Sequence, residues 1–154
     1  MPVPAPSVTP VFASEEEALA AAGAAYQRYL DVTNLVGQSG WTDTEQLDTV
    51  AKDEALQSAL ANATEFADKG WTQVGAGSFD SLSIQQLEDS GPGTVEIAVY
   101  LCLVVADVDV LDTNGVSVVS PERPDRLPFE VLMDDSEQTL KVARSESWSG
   151  ANFC

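Results

Sequence analysis

Apolar residues recur every three or four positions in the first half of the chain and about every second position in the remainder. Along EEEALAAAGAAYQRYLDVTNLV, the residues Leu19, Ala22, Tyr26, Tyr29, Leu30 and Thr33 fall on one stripe of a helix. Ser14 followed by Glu17 forms a capping box at its start, and Glu15, Glu16 and Glu17 sit at the positive end of its dipole. Gly37 and Gly40 end it. Thr42 and Glu45 suggest a second capping box, with a short helix carrying Leu47, Val50 and Ala51. A third helix is predicted in DEALQSALANATEFADKG, where Leu56, Ala59, Leu60, Ala63, Phe66 and Ala67 share a face and Gly70 is the stop.

The period changes after Gly70. WTQVGAGSFDSLSIQQLED reads as one long strand with a bulge around Gly75 to Phe79, and GPG at 91–93 as a turn. TVEIAVYLCLVVADVDVL is the strongest strand signal. It is apolar on both faces between Ile97 and Val105, which predicts a central place in the sheet. DTNG at 112–115 is a turn, Val116 to Val119 a short extension, and the proline-bearing stretch after it a loop. LPFEVLMD and TLKVARSESW form a hairpin around DDSEQ. Helices first and an antiparallel meander of four strands afterwards define an α+β domain, with two or three N-terminal helices packed on a curved sheet.

Charge narrows the function classes. Lys and Arg number 7 against 25 Asp and Glu, a net charge of −18. Such a surface repels nucleic-acid backbones and anionic lipid headgroups, so no nucleic-acid partner is expected. The chain has no histidine, which removes the commonest metal ligand and every histidine-dependent triad. No metal or cofactor is expected. DVDVLDTNG brings Asp107, Asp109, Asp112 and Asn114 together. Counted from Asp107, the sixth and twelfth positions are Asp112 and Val118, where an EF-hand needs Gly and Glu.

The first ten residues, MPVPAPSVTP, hold four prolines and read as an extended tether over residues 1–13, ahead of a single domain over 14–154. The expectation is that Met1 stands in place of a removed export signal.

The segments AAYQRYLDV, ATEFADKGWTQVG, DVLDTNGVSVVSPERPDR and the closing WSGANFC resemble a group of small exported actinobacterial lipoproteins. Helices followed by a long curved sheet likewise resemble the nuclear transport factor 2-like, or cystatin-like, cone fold. The resemblance covers roughly residues 14–154. It implies a cone-shaped domain, an envelope location and a lipid anchor on the precursor, since no cysteine precedes Cys102 here.

Four sets of residues are candidates for chemistry. Cys102 and Cys154 form the pair expected to be a disulfide in an exported chain, holding the C-terminal tail against the sheet; two free thiols are the alternative. Tyr26, Tyr29, Phe66, Trp71, Tyr100, Phe129 and Trp148 either fill the core or line a pocket left open at one end of the cone. Arg123 and Arg126 on the proline-stiffened loop either clamp an anion or pair with neighbouring acids such as Glu122 and Asp125. Tyr26 with Asp107 or Asp109 is the pair an isomerase or dehydratase of this fold would use. The leading expectation is a non-catalytic envelope domain for an unidentified small apolar or amphipathic molecule or an envelope protein. The alternatives are that enzyme or a purely structural interaction module. A pocket without an isolated carboxylate favours the binder.

Overall fold

The computed structural model describes residues 9–135 and 139–154. Two α-helices pack on one face of a four-stranded antiparallel sheet, giving an α+β domain. The helices are α1 (Glu15–Gln38) and α2 (Asp53–Asp68); the strands are β1 (Thr72–Val74), β2 (Ser78–Glu88), β3 (Glu96–Val104), β4 (Asp109–Leu111), β5 (Arg126–Asp134) and β6 (Lys141–Ser147). The main sheet has the order β2-β3-β5-β6, and β1 and β4 form a separate pair. The strand read as central from its apolar run, β3, is indeed flanked on both sides.

α1 begins where the capping box places it. The Ser14 hydroxyl accepts from the Glu17 N–H at 3.2 Å, and the Glu17 carboxylate reaches back to the Ala13 N–H at 2.6 Å. Its buried stripe is Ala18, Ala22, Ala25, Tyr26 and Leu30. The stripe is therefore turned one position from the one predicted at its start, with Ala18 buried rather than Leu19. Small alanines let the helix lie close over the sheet, where Ile97, Val99, Leu101, Val131, Met133 and Val142 complete the core.

The helix predicted after Thr42 does not form. The Thr42 hydroxyl donates to the Ser39 carbonyl instead, and only a single 3-10 turn, Leu47–Thr49, follows. Leu47, Val50 and Ala51 are buried as expected. Their backbone is committed elsewhere: Val50 O accepts from Val142 N, and Lys52 N donates to Val142 O. The segment thus runs parallel to β6 and covers one edge of the sheet. The other edge, β2, is broken by register shifts and by Ser81 at φ +57°, which interrupt the regular ladder an edge strand would present.

The long strand predicted from Trp71 to Asp89 is two strands in two sheets. Gly75 takes φ +79° and lies so close to the Asp107 carbonyl that a Cβ would overlap it. The Asn34 amide on α1 then acts as a strand partner for Gly77, accepting from its N–H and donating to its carbonyl, both at 3.0 Å. β3 breaks at the same level, after Val104, through a turn closed by Val108 N and Val105 O. The β2–β3 ribbon therefore bends, and β1–β4 continues it on the far side of the bend. Hydrophobic alternation is insensitive to such a bend, because it persists on both sides.

Of the 1–13 tether, residues 1–8 lie outside the described residues. The remainder is docked: the Val11 and Phe12 N–H groups both donate to the Asp89 carboxylate at 2.8 Å, and Phe12 packs against the core. Partial burial works to raise the Asp89 carboxyl, but hydrogen bonds from the Phe12, Val11 and Gly91 N–H groups outweigh it and hold the group below its ordinary value. In the hairpin predicted around DDSEQ, residues 136–138 lie outside the described residues. Asp135 is the buried charged residue among those described, and it accepts from the Gly93 and Val95 N–H groups.

Candidate ligand groove on the outer sheet face

Side chains alternate across β3. Ile97, Val99 and Leu101 point to the helices, while Ala98, Tyr100 and Cys102 point to the opposite, outer face. Among the described residues, no helix covers that face. The C-terminal tail does, at its Cys102 end. Trp148 N donates to the Pro128 carbonyl at 2.9 Å, where β6 has just ended. The chain then arches through Ser149 to Asn152, and Cys154 is disulfide-bonded to Cys102 with the two Cα atoms 5.8 Å apart. The predicted staple is present.

Arg126 fixes the same end of the tail. Its guanidinium donates to the Cys154 carbonyl, to the Asp80 carboxylate and to the Ser81 hydroxyl. The hydrogen bond from Arg126, helped by Ser81, holds the Asp80 carboxyl below its ordinary value. Arg123 is used separately: one of its nitrogens donates to the Val105 and Val108 carbonyls at 2.8 and 2.7 Å, closing the bend in the ribbon. The two arginines therefore do not form a joint anion clamp. Their partners are backbone carbonyls and Asp80 rather than the Glu122 and Asp125 suggested by proximity in sequence.

The seven aromatic residues nominated as a pocket are divided among three places. Tyr26, Tyr29 and Phe129 belong to the core under the helices. Tyr26 meets Tyr29 at 5.5 Å and the edge of Phe79 at 5.0 Å. Burial above all, with Tyr29 adding, raises the Tyr26 phenol far above its ordinary value, although it shares a hydrogen bond with Ser145. Burial also raises Tyr29. Phe66 and Trp71 stack at 5.1 Å, with Trp41 against Phe66 and the Lys69 ammonium 4.6 Å from the Trp71 ring. Tyr100 and Trp148 meet on the outer face.

Tyr26 meets Tyr29, Phe79 and Ser145, and among the described residues no carboxylate acts on its phenol. Asp109 is engaged by the Ser117 hydroxyl at 2.6 Å, and Asp112 accepts from the Asn114 and Val116 N–H groups in its turn. Among the described residues no group of three or more His, Cys, Asp or Glu side chains could hold a metal ion.

The outer face carries a groove of about 500 Å³, lined by Ser81, Ser83, Tyr100, Trp148, Gly150, Ala151 and Phe153. Its volume is that of a small-molecule site. Tyr100 forms the floor. Trp148 stands against it at 5.4 Å and 78°, and Phe153 at 5.8 Å and 68°. Gly150 sits against the indole, where a Cβ would come within 2.5 Å of Trp148 Nε1. Among the described residues, no carboxylate or basic side chain lines the groove. Phe153 was missed in the sequence, although its place one residue before Cys154 was signal enough once the staple was expected.

No protein-family model matches the chain, and no curated protein sequence matches it either. Among solved structures the chain is similar to the intermembrane space region of the chloroplast protein ARC6, with 15% sequence identity and a TM-score of 0.56 over 84% of this chain and 95% of that one. At that identity, the similarity establishes a shared fold: helices packed on an antiparallel sheet.

Proposed function

We propose that this chain is a non-catalytic binding domain of the cell envelope that takes a small apolar or amphipathic ligand in the groove between β3 and the C-terminal tail. One observation carries the reading: a groove of about 500 Å³ bounded by three aromatic rings, with no carboxylate in its lining among the described residues. Burial of apolar ligand surface against such walls supplies affinity without chemistry. An isomerase or dehydratase would instead need an acid facing its substrate. The inner side, where a nuclear transport factor 2-like cone would have its aromatic pocket, is occupied by Tyr26 and its neighbours, which supports assigning the binding surface to the opposite face of the sheet. The uncharged fluorophore Nile red is expected to bind saturably at one site per chain, with Trp148→Ala weakening it about tenfold or more. Absence of saturable binding to the folded protein would overturn the reading.

The disulfide supports an oxidising, extracytoplasmic location. We extend this to a precursor that is exported and anchored through a lipid on an upstream cysteine, as the resemblance to exported lipoproteins implies. Fractionation of cells making the native precursor is expected to recover it with the membrane in acylated form. Recovery from the cytosol without acylation would sink the localisation while leaving the groove untouched.

A further inference from the structure

If the groove binds a ligand as proposed above, its walls suit one charge type. Tyr100 is nearly perpendicular to both Trp148 and Phe153, so a ligand lying on it meets aromatic surface from more than one side. Aromatic faces are electron-rich and attract cations, most strongly when water is excluded. The other lining groups are two serine hydroxyls and the small residues Gly150 and Ala151, and no basic side chain faces a bound cation from the lining.

The sheet supplies the complementary charge. Ser83, Tyr100, Glu130 and Glu146 stand in register on adjacent strands and point to the same outer face. Glu130 and Glu146 are thus like charges directly opposite each other, an arrangement that costs stability when left uncompensated. Arg144 lies 3.9 Å from Glu146, whereas Glu130 has no ion pair among the described residues. Arg126, whose guanidinium donates to the lining Ser81 hydroxyl, is already paired with Asp80. The net charge of −18 adds a long-range preference for cations over anions.

Among cations, a primary ammonium holds its water tightly and would need three direct acceptors, where the side chains of the lining offer two serine hydroxyls beside the aromatic walls. An N-alkylated ammonium spreads its charge over an apolar surface and suits rings at these distances. We propose that the groove binds a small soluble quaternary-ammonium compound, the alkylated cation resting against Tyr100, Trp148 and Phe153, with Glu130 and Glu146 one and two strands away.

Titration calorimetry with choline and with 3,3-dimethyl-1-butanol, its uncharged carbon isostere, tests this on the intact oxidised chain. Choline is expected to bind at one site per chain, roughly tenfold tighter than the isostere, the scale of a desolvated cation–π contact. Trp148→Ala is expected to abolish that preference. Gly150→Ala, which displaces the indole without removing it, is expected to weaken it. Glu130→Gln is expected to weaken choline several-fold and leave the isostere unchanged. Equal affinity for choline and isostere overturns the cation assignment and leaves the binding domain standing. So does Nile red binding without choline binding, or choline binding that Trp148→Ala does not alter. Failure of choline, isostere and Nile red together overturns both.

Discussion

Replacing Cys102 and Cys154 together by serine is expected to lower stability by about 4 kcal/mol, the loop-entropy value for cysteines 52 residues apart. In a chain of this length that corresponds to a fall in melting temperature of roughly 10 °C. The fold should persist, because the core under the helices does not include the tail. The loss is expected to be local in the native state. Without the bond, residues after Trp148 are held at their far end by Arg126, through the Cys154 carbonyl, and by the contact of Phe153 with Tyr100. Amide exchange and proteolysis should therefore accelerate from Ser149 onward and little elsewhere. The variant should also lose affinity for Nile red, because Gly150, Ala151 and Phe153 leave the groove. Thiol counting on the unreduced, unfolded wild type gives a direct check. No free thiol is expected, and two per chain would refute the staple.

Tyr26→Ala is expected to cost about 3–5 kcal/mol, the range for removing a large buried ring. The side chain is almost fully enclosed between Tyr29, Phe79 and the sheet, so nothing flexible is placed to fill the space. Tyr26→Phe keeps the ring and loses the hydrogen bond to Ser145, for about 1 kcal/mol. The same residue sets an alkaline limit. Its phenol is raised in the folded state, so below about pH 10 it is protonated in both states and its contribution is complete. Above that, the unfolded chain releases a proton that the folded chain keeps, and stability falls as pH rises toward the folded value. Tyr29 adds in the same direction. Urea unfolding between pH 8 and pH 11 should show this decline, with a smaller slope in Tyr26→Phe. A stability independent of pH over that range would place Tyr26 in contact with water. Because Tyr26 lies on the helix-covered side, Tyr26→Phe should leave groove binding unchanged.

Local signals were readable wherever one element carried its own instruction. Ser14 and Glu17 named the start of α1, Gly70 the end of α2, and the apolar run Ile97 to Val105 the central strand. Signals failed where distant backbone competed. The Thr42–Glu45 pattern is a sound capping box in isolation, yet residues 50–52 bond to Val142, some ninety positions away, and no helix follows. The stretch from Trp71 to Asp89 alternates as one strand would, but Asn34 on α1 and the Asp107 carbonyl bend it at Gly75 to Gly77. Arg123 and Arg126 invited partners nearby in sequence, while folding offered closer ones at Val105, Val108, Asp80 and Cys154.

By itself, the sequence determined the order of helices and strands, the phase of most apolar stripes, the acidic surface and which two cysteines could pair. Those follow from the period of side chains along a helix or strand, from composition, and from there being one possible intramolecular bond. Only the tertiary structure decided which aromatics meet. Alternation sends Tyr100 and Cys102 to the face opposite Val99 and Leu101, but it cannot say what covers either face. The helices cover one side, where Tyr26 and Tyr29 of α1 join Phe129 of β5 in the core. The tail, drawn across by Cys154, brings Trp148 and Phe153 over Tyr100 on the other. The groove is made by contacts between segments about fifty residues apart, and no local pattern encodes such a meeting.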